Sequence, residues 1–145
     1  MSNGPSEADI VSAAQQAVDF AREHFQLTLD YSDKSIQDVE NVLGRFHDAL
    51  PKGVFQRMFR SAPPPERISQ TVVEFGSYVG EALRRRLSGS RWEKDSSGGG
   101  SVLCLTDGER KIWPHAKVHK RIVNGLEDNI WHYFNGVIEH WNKKD

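Results

Sequence analysis

The stretch that decides the fold is GSRWEKDSSGGGSVLCLTDGERKIWP, residues 89–114. Upstream of it, apolar residues recur at spacings of three and four, the signature of amphipathic helices. Within it the period changes. Arg91-Trp92-Glu93 reads as a short strand, and residues 94–101 as a flexible Gly/Ser loop whose three consecutive glycines resist any single conformation. Val102-Leu103-Cys104-Leu105 is apolar throughout, as a central strand requires. Asp107-Gly108 is the pair favoured in a two-residue type I′ hairpin, with Glu109 to Trp113 as the return strand. Pro114 then opens a helix, since a proline at the first helical position loses no hydrogen bond. These 26 residues predict a small antiparallel meander set between helices.

Working outward, residues 1–6 read as a frayed terminus. Ile10, Val11, Ala14, Ala17, Val18, Ala21 and Phe25 mark a first helix, and Ala-rich composition favours it because Ala loses no side-chain entropy there. Leu27 to Tyr31 alternates as an extended link or short strand. Ser32 or Asp33 is positioned to cap a second helix, with Ser35 and Asp38 as the competing cap. Its stripe is Ile36, Val39, Leu43, Phe46 and Leu50, ended by Pro51 and Gly53. Pro63-Pro64-Pro65 leads into a third helix with Ile68, Val72, Phe75, Val79, Leu83 and Leu87 on one face. Gly76 and Gly80 lie within it. Each weakens a helix by ~1 kcal/mol against Ala, so close approach of another element is expected there. Downstream, Val118 and Ile122 mark the helix after Pro114, Asn124-Gly125 interrupts it, and Glu127 and Asp128 start the last helix. Its stripe is Leu126, Ile130, Tyr133, Phe134, Val137 and Trp141. The predicted fold is α+β, a single domain over residues 1–145 in the order α-α-α-β-β-β-α-α.

Composition excludes several classes. One cysteine among 145 residues rules out an intrachain disulfide scaffold and a Cys-rich zinc site. No run approaches the ~18 apolar residues of a membrane span, and the N-terminus lacks the basic and apolar regions of a secretory signal. A cytoplasmic protein is expected. The net charge of −1 conceals an asymmetry. Residues 1–50 carry nine acids and three bases, whereas Arg84 to Arg121 carry ten bases and four acids. Such a two-faced molecule can steer a charged partner or pair head-to-tail with a second copy as a homodimer.

Catalytic patterns are absent. Cys104 sits in an apolar run that would bury it and raise its pKa. There is no Gly-x-Ser-x-Gly elbow, and the Gly98–Gly100 run precedes a strand instead of the helix N-terminus that a phosphate cradle uses. His115 and His119 stand four apart on a helix, but Ala116 occupies the place of a metalloprotease's glutamate, so no metal and no cofactor are expected. The basic stretch carries the functional signal. Arg84, Arg85, Arg91, Trp92, Trp113, Lys117, Lys120 and Arg121 interleave arginine, lysine and tryptophan, the residues of protein hot spots and of base-stacking platforms. The pI of 6.6 weighs against nucleic acid, because such modules are strongly basic.

Three segments carry a resemblance: LDYSDKSIQDVE (29–40), EFGSYVGEALRRRLSGSRWE (74–93) and LTDGERKIWPHAKVHKRIVNGLEDNIWHYF (105–134). Together they resemble a family of small bacterial domains of unknown function over roughly residues 27–134. The shared positions are Leu29 to Ser32, Gly76, Gly80 and Glu81, Trp92, and Pro114, Lys117, Val118, Lys120, Arg121, Ile122, Asn124 and Gly125. The resemblance implies no activity. By analogy, bacterial domains of this size without an active site often act as immunity or adaptor proteins beside toxins or secretion systems. The expectation is a non-enzymatic protein-binding domain of that type, which binds and occludes a toxin or effector. The alternatives are a small-ligand or nucleic-acid module using the Arg84–Arg121 face, and an enzyme assembled from scattered residues.

Overall fold

The computed structural model describes residues 6–50, 64–97 and 102–143. Among them the chain forms α1 (Glu7–Phe25), α2 (Asp33–Ala49), α3 (Pro65–Arg84), β1 (Arg91–Asp95), β2 (Val102–Thr106), β3 (Lys111–Ile112), α4 (Pro114–Asn124) and α5 (Ile130–Asn142). A short 3-10 turn, Leu126–Asp128, separates the last two helices. This is the predicted α+β order. No helix among the described residues is long and apolar enough to cross a membrane.

Local chemistry sets the helix starts. Ser6 caps α1 through a reciprocal capping box with Asp9, so it is not part of a frayed end. Ser32, not Ser35, caps α2. The LDYS segment makes that cap possible. Asp30 accepts from the Ser32 N–H at 3.1 Å, and Tyr31 takes a left-handed φ of 65°. That conformation is uncommon for a bulky residue and needs external support. The support comes from α3. The Tyr31 N–H donates to the Tyr78 hydroxyl at 2.7 Å, and that hydroxyl donates to Ser35 Oγ at 2.6 Å. The Tyr31 ring stacks on Tyr78 with centroids 4.4 Å apart.

The core runs through every helix. Ala14, Ala17 and Ala21 lie on the side of the core where α1 packs on α3, while Ile36, Val39 and Leu43 of α2 share the core with Ile122 of α4 and Ile130 and Phe134 of α5. Val11, expected on the first stripe, is 52% exposed, and Leu126, expected on the last, is 76% exposed because the 3-10 turn swings it outward. Glu127 and Asp128 belong to that turn, and Asn129 caps α5 by accepting from the His132 N–H. Helix α2 ends at Ala49, and Pro51, Gly53, Pro63 and residues 98–101 lie outside the described residues.

The sheet has the order β1-β2-β3, antiparallel throughout, with Trp92 opposite Leu105 and Leu105 opposite Ile112. Lys94 and Asp95, assigned to the loop on sequence, belong to β1. The hairpin after β2 is not the two-residue type I′ turn. Thr106 pairs with Lys111, leaving four residues between them, and only Gly108 has a positive φ. The Asp107 carboxylate instead accepts from the Glu109 and Arg110 N–H groups at 2.9 and 2.8 Å, which holds the wider turn. The close approaches fall at the two glycines, sheet on helix at Gly80 and helix on helix at Gly76. A Cβ on Gly80 would stand 2.1 Å from the Trp92 indole, and one on Gly76 would stand 2.5 Å from the His115 ring.

Candidate functional site

The basic stretch is largely self-neutralised. Of its ten bases, seven have a carboxylate partner. Arg84 pairs with Glu81, Arg86 with Asp33, Arg91 with Glu93, Arg110 with Asp107, Lys111 with Asp95, Lys117 with Asp128 and Arg121 with Glu40. A phosphate backbone would have to displace these carboxylates one by one, which weakens the electrostatic attraction that nucleic-acid binding rests on.

The eight expected partner-binding residues do not share one face. Arg121 is the clearest departure. It lies 4% exposed between helices, where its guanidinium donates to Glu40 at 2.7 and 2.9 Å and Glu40 also accepts from the Ile130 N–H. It clasps α2, α4 and α5 together and cannot reach a partner. Trp92 is also turned inward, with Nε1 donating to Glu81 at 2.9 Å and its ring over Gly80. Arg84 completes that cluster on the same carboxylate. Burial pushes the Glu81 carboxyl up, and the Arg84 and Trp92 hydrogen bonds outweigh it and hold the group below its ordinary value. Arg85 lies over the Tyr31 ring at 3.7 Å, and Arg91 bonds its neighbour Glu93.

The remaining three come together. Trp113, Lys117 and Lys120 line one hollow of about 250 Å³ with Ala116 and Tyr133. Trp113 is 39% exposed, and its Nε1 donates to Asp95 at 2.9 Å. Hydrogen bonds from Ser97 and Trp113 keep the Asp95 carboxyl well below the usual carboxylate range. Tyr133 is the shared wall with a larger hollow of about 420 Å³. That second hollow lies between β3, with Lys111 and Ile112, and one face of α5, with Tyr133, Gly136, Val137 and His140. A third hollow, around Glu109, Arg110, His140 and Lys143, joins it through Arg110 and His140. Arg110 spans that junction. It bonds Asp107, lies over the Trp141 ring at 4.5 Å and donates to the Trp141 carbonyl. The three hollows adjoin through these shared residues as a row of depressions, a groove whose central part is lined by Ile112, Tyr133, Val137 and Trp141.

Sequence reasoning assigned Tyr133, Val137 and Trp141 to the core stripe and passed over Gly136, His140 and Lys143. The available signal was Gly136, a helix-interior glycine whose missing Cβ has nothing within 4 Å, so it leaves space instead of admitting a neighbour. Burial raises the Tyr133 phenol far above its ordinary value, and its hydroxyl has no hydrogen-bond partner among the described residues.

A second constellation was not anticipated. The Ser77 hydroxyl and His115 Nε2 hydrogen-bond at 3.0 Å across α3 and α4, as a nucleophile and its base would. Ser77 is 1% exposed, however, and lines none of the hollows described above. His115 Nδ1 is buried without a hydrogen-bond partner among the described residues, and burial pushes the imidazole down to about 4. The pair joins the helices at Gly76. His115 therefore faces Ser77 while His119 is exposed. Among the described residues no three His, Cys, Asp or Glu side chains group to hold a metal. Cys104 is buried in β2, and burial raises its thiol. No protein-family model matches the chain, and neither curated proteins nor solved structures yield a match.

Proposed function

We propose that this chain is a non-enzymatic bacterial protein-binding domain of an immunity-like or adaptor kind, acting in the cytoplasm. Its partner, a toxin, effector or secretion component, is held along the groove between β3 and α5. One observation carries this reading: an apolar-floored groove bounded by a sheet edge and a helix face, with Trp113 exposed at its end. Grooves of this construction accept peptide segments by main-chain pairing and side-chain pockets. Aromatic and arginine anchors at their centre supply most of the binding energy. The Ser77–His115 pair supports no competing enzymatic reading, since a nucleophile must meet its substrate.

The test is comparative capture from bacterial extract with wild type, Gly136→Gln and Val11→Gln. Gly136→Gln fills the groove without crowding a neighbour, and Val11→Gln alters an exposed site on α1. A partner lost from the first variant and kept by the second supports the reading. Equal capture by all three overturns it.

A further inference from the structure

We infer that the groove takes an extended segment of alternating acidic and apolar residues, which adds to β3 as a fourth strand. This rests on the protein-binding reading above and names the chemistry of the partner. The first argument is backbone geometry. Among the described residues β3 pairs with β2 and with no other strand. In an antiparallel ladder, adjacent residues turn their N–H and C=O groups to opposite sides. One of Lys111 and Ile112 therefore directs both groups outward, along the edge that the groove follows. Lysine ordinarily guards such an edge. Here the Lys111 ammonium lies over the sheet face, 3.4 Å from Asp95.

The second argument is charge. The groove lining carries five bases, Arg110, Lys111, Lys117, Lys120 and Lys143, against one acid, Glu109. Arg110, Lys111 and Lys117 are paired with Asp107, Asp95 and Asp128, so the charge open to an acidic ligand is carried by the other two bases. Lys120 and Lys143 have no carboxylate partner among the described residues, and they belong to hollows at the two ends of the groove. Between them the floor is Ile112, Tyr133 and Val137. A strand sends successive side chains to opposite faces. Apolar residues of an added strand would thus enter the floor, and the acidic residues toward its two ends would meet Lys120 and Lys143. The unpartnered Tyr133 hydroxyl would supply a donor within the wall.

The probe is a blocked hexapeptide of alternating glutamate and leucine. Two relatives accompany it, one with lysine for glutamate and one with its central leucine N-methylated. Binding is read by amide chemical shifts of the ¹⁵N-labelled protein. The acidic peptide should shift Lys111, Ile112 and Gly136 and bind at least tenfold more tightly than the lysine peptide. N-methylation should weaken it at least fivefold, because it removes a ladder donor. Gly136→Glu should weaken it several-fold more than the isosteric Gly136→Gln, and both variants should keep the wild-type far-ultraviolet spectrum. Equal affinity for the lysine peptide, indifference to N-methylation, or shifts confined to another surface would each overturn the proposal. If Gly136→Gln abolishes capture of a natural partner that the acidic peptide does not displace, this inference fails and the protein-binding reading stands. If capture is indifferent to Gly136→Gln and the peptide also fails to bind, both fail.

Discussion

Gly80 and Gly136 are both helix-interior glycines, and the structure assigns opposite signs to the same substitution at each. Replacing either by alanine gains ~1 kcal/mol of helix propensity. At Gly136 nothing lies within 4 Å of the added methyl, so that gain should appear undiminished. At Gly80 the methyl would stand 2.1 and 2.4 Å from two carbons of the Trp92 ring. Ordinary carbon contacts are ~3.5–4.0 Å, so the ring must retreat by more than ~1 Å. It is not free to do so, because its Nε1 donates to the buried Glu81 carboxylate at 2.9 Å. Either the packing strains, at ~1–3 kcal/mol, or the ring swings away and forfeits a hydrogen bond to a charged group worth ~1.5–3 kcal/mol. Each route outweighs the propensity gain. Gly80→Ala should therefore destabilise by ~0.5–2 kcal/mol net. Thermal unfolding followed by circular dichroism should show a midpoint ~1–8 °C lower for Gly80→Ala and ~2–4 °C higher for Gly136→Ala. In a Trp92→Leu background the Gly80 penalty should vanish, a coupling of at least ~1 kcal/mol in a double-mutant cycle. Equal rises for both alanine variants would refute the close-packing argument.

Three further outcomes follow from buried polar groups. His115 has a folded pKa of about 4 against an ordinary 6.5, so the unfolded chain binds the extra proton first. Its contribution should be complete above about pH 6.5 and fall by ~1.4 kcal/mol per unit toward pH 4, roughly 3 kcal/mol in all; urea titrations of wild type and His115→Gln from pH 7 to 5 check this, and parallel slopes would contradict it. Glu40→Ala strands the buried Arg121 guanidinium and the Ile130 N–H, so it should cost ~3–5 kcal/mol, whereas joint replacement of Glu40 and Arg121 by Met should recover most of that in chemical denaturation. Tyr78→Phe removes the acceptor of the Tyr31 N–H and the donor to Ser35, and should lower stability by ~1–3 kcal/mol with faster hydrogen exchange at Tyr31.

Much of the fold was legible because its signals are local. The change of period after Gly89, the proline at the start of α4 and the three- and four-residue stripes each report one element's own environment. Gly76 and Gly80 announced close approach, though not that His115 and Trp92 would be the neighbours. Two of the errors share one cause, a side chain that captures backbone N–H groups. Asp107 widened the hairpin by capturing two N–H groups, and Asn129 moved the start of α5 past the acidic pair by supplying the cap. Tyr31 is the extreme case. Nothing in LDYS reveals a left-handed tyrosine, because the groups that hold it, Tyr78 and Arg86, come from positions 78 and 86.

The candidate site was far less legible, for an electrostatic reason. A count of charges along the chain treats each base as free, whereas folding chooses a partner for it. Glu40 and Arg121, 81 positions apart, show what the count misses. Each sits on an apolar stripe, Glu40 four residues after Ile36 and Arg121 three after Val118, so each reads as a charged intruder on a buried face. Two intruders of opposite sign are the visible trace of a buried pair, since an isolated buried charge would be prohibitively costly. Once such pairs are removed, the excess of bases between Arg84 and Arg121 shrinks to Arg85, Lys94 and Lys120. Arg85 is engaged by a ring. Lys120 borders the groove, and there it coincides with an exposed indole and an unpartnered phenol. That coincidence, more than the number of bases, distinguishes this surface from the rest of the charged exterior. The proposed binding surface is thus built from α4, α5 and β3 together and not from the run Arg84 to Arg86.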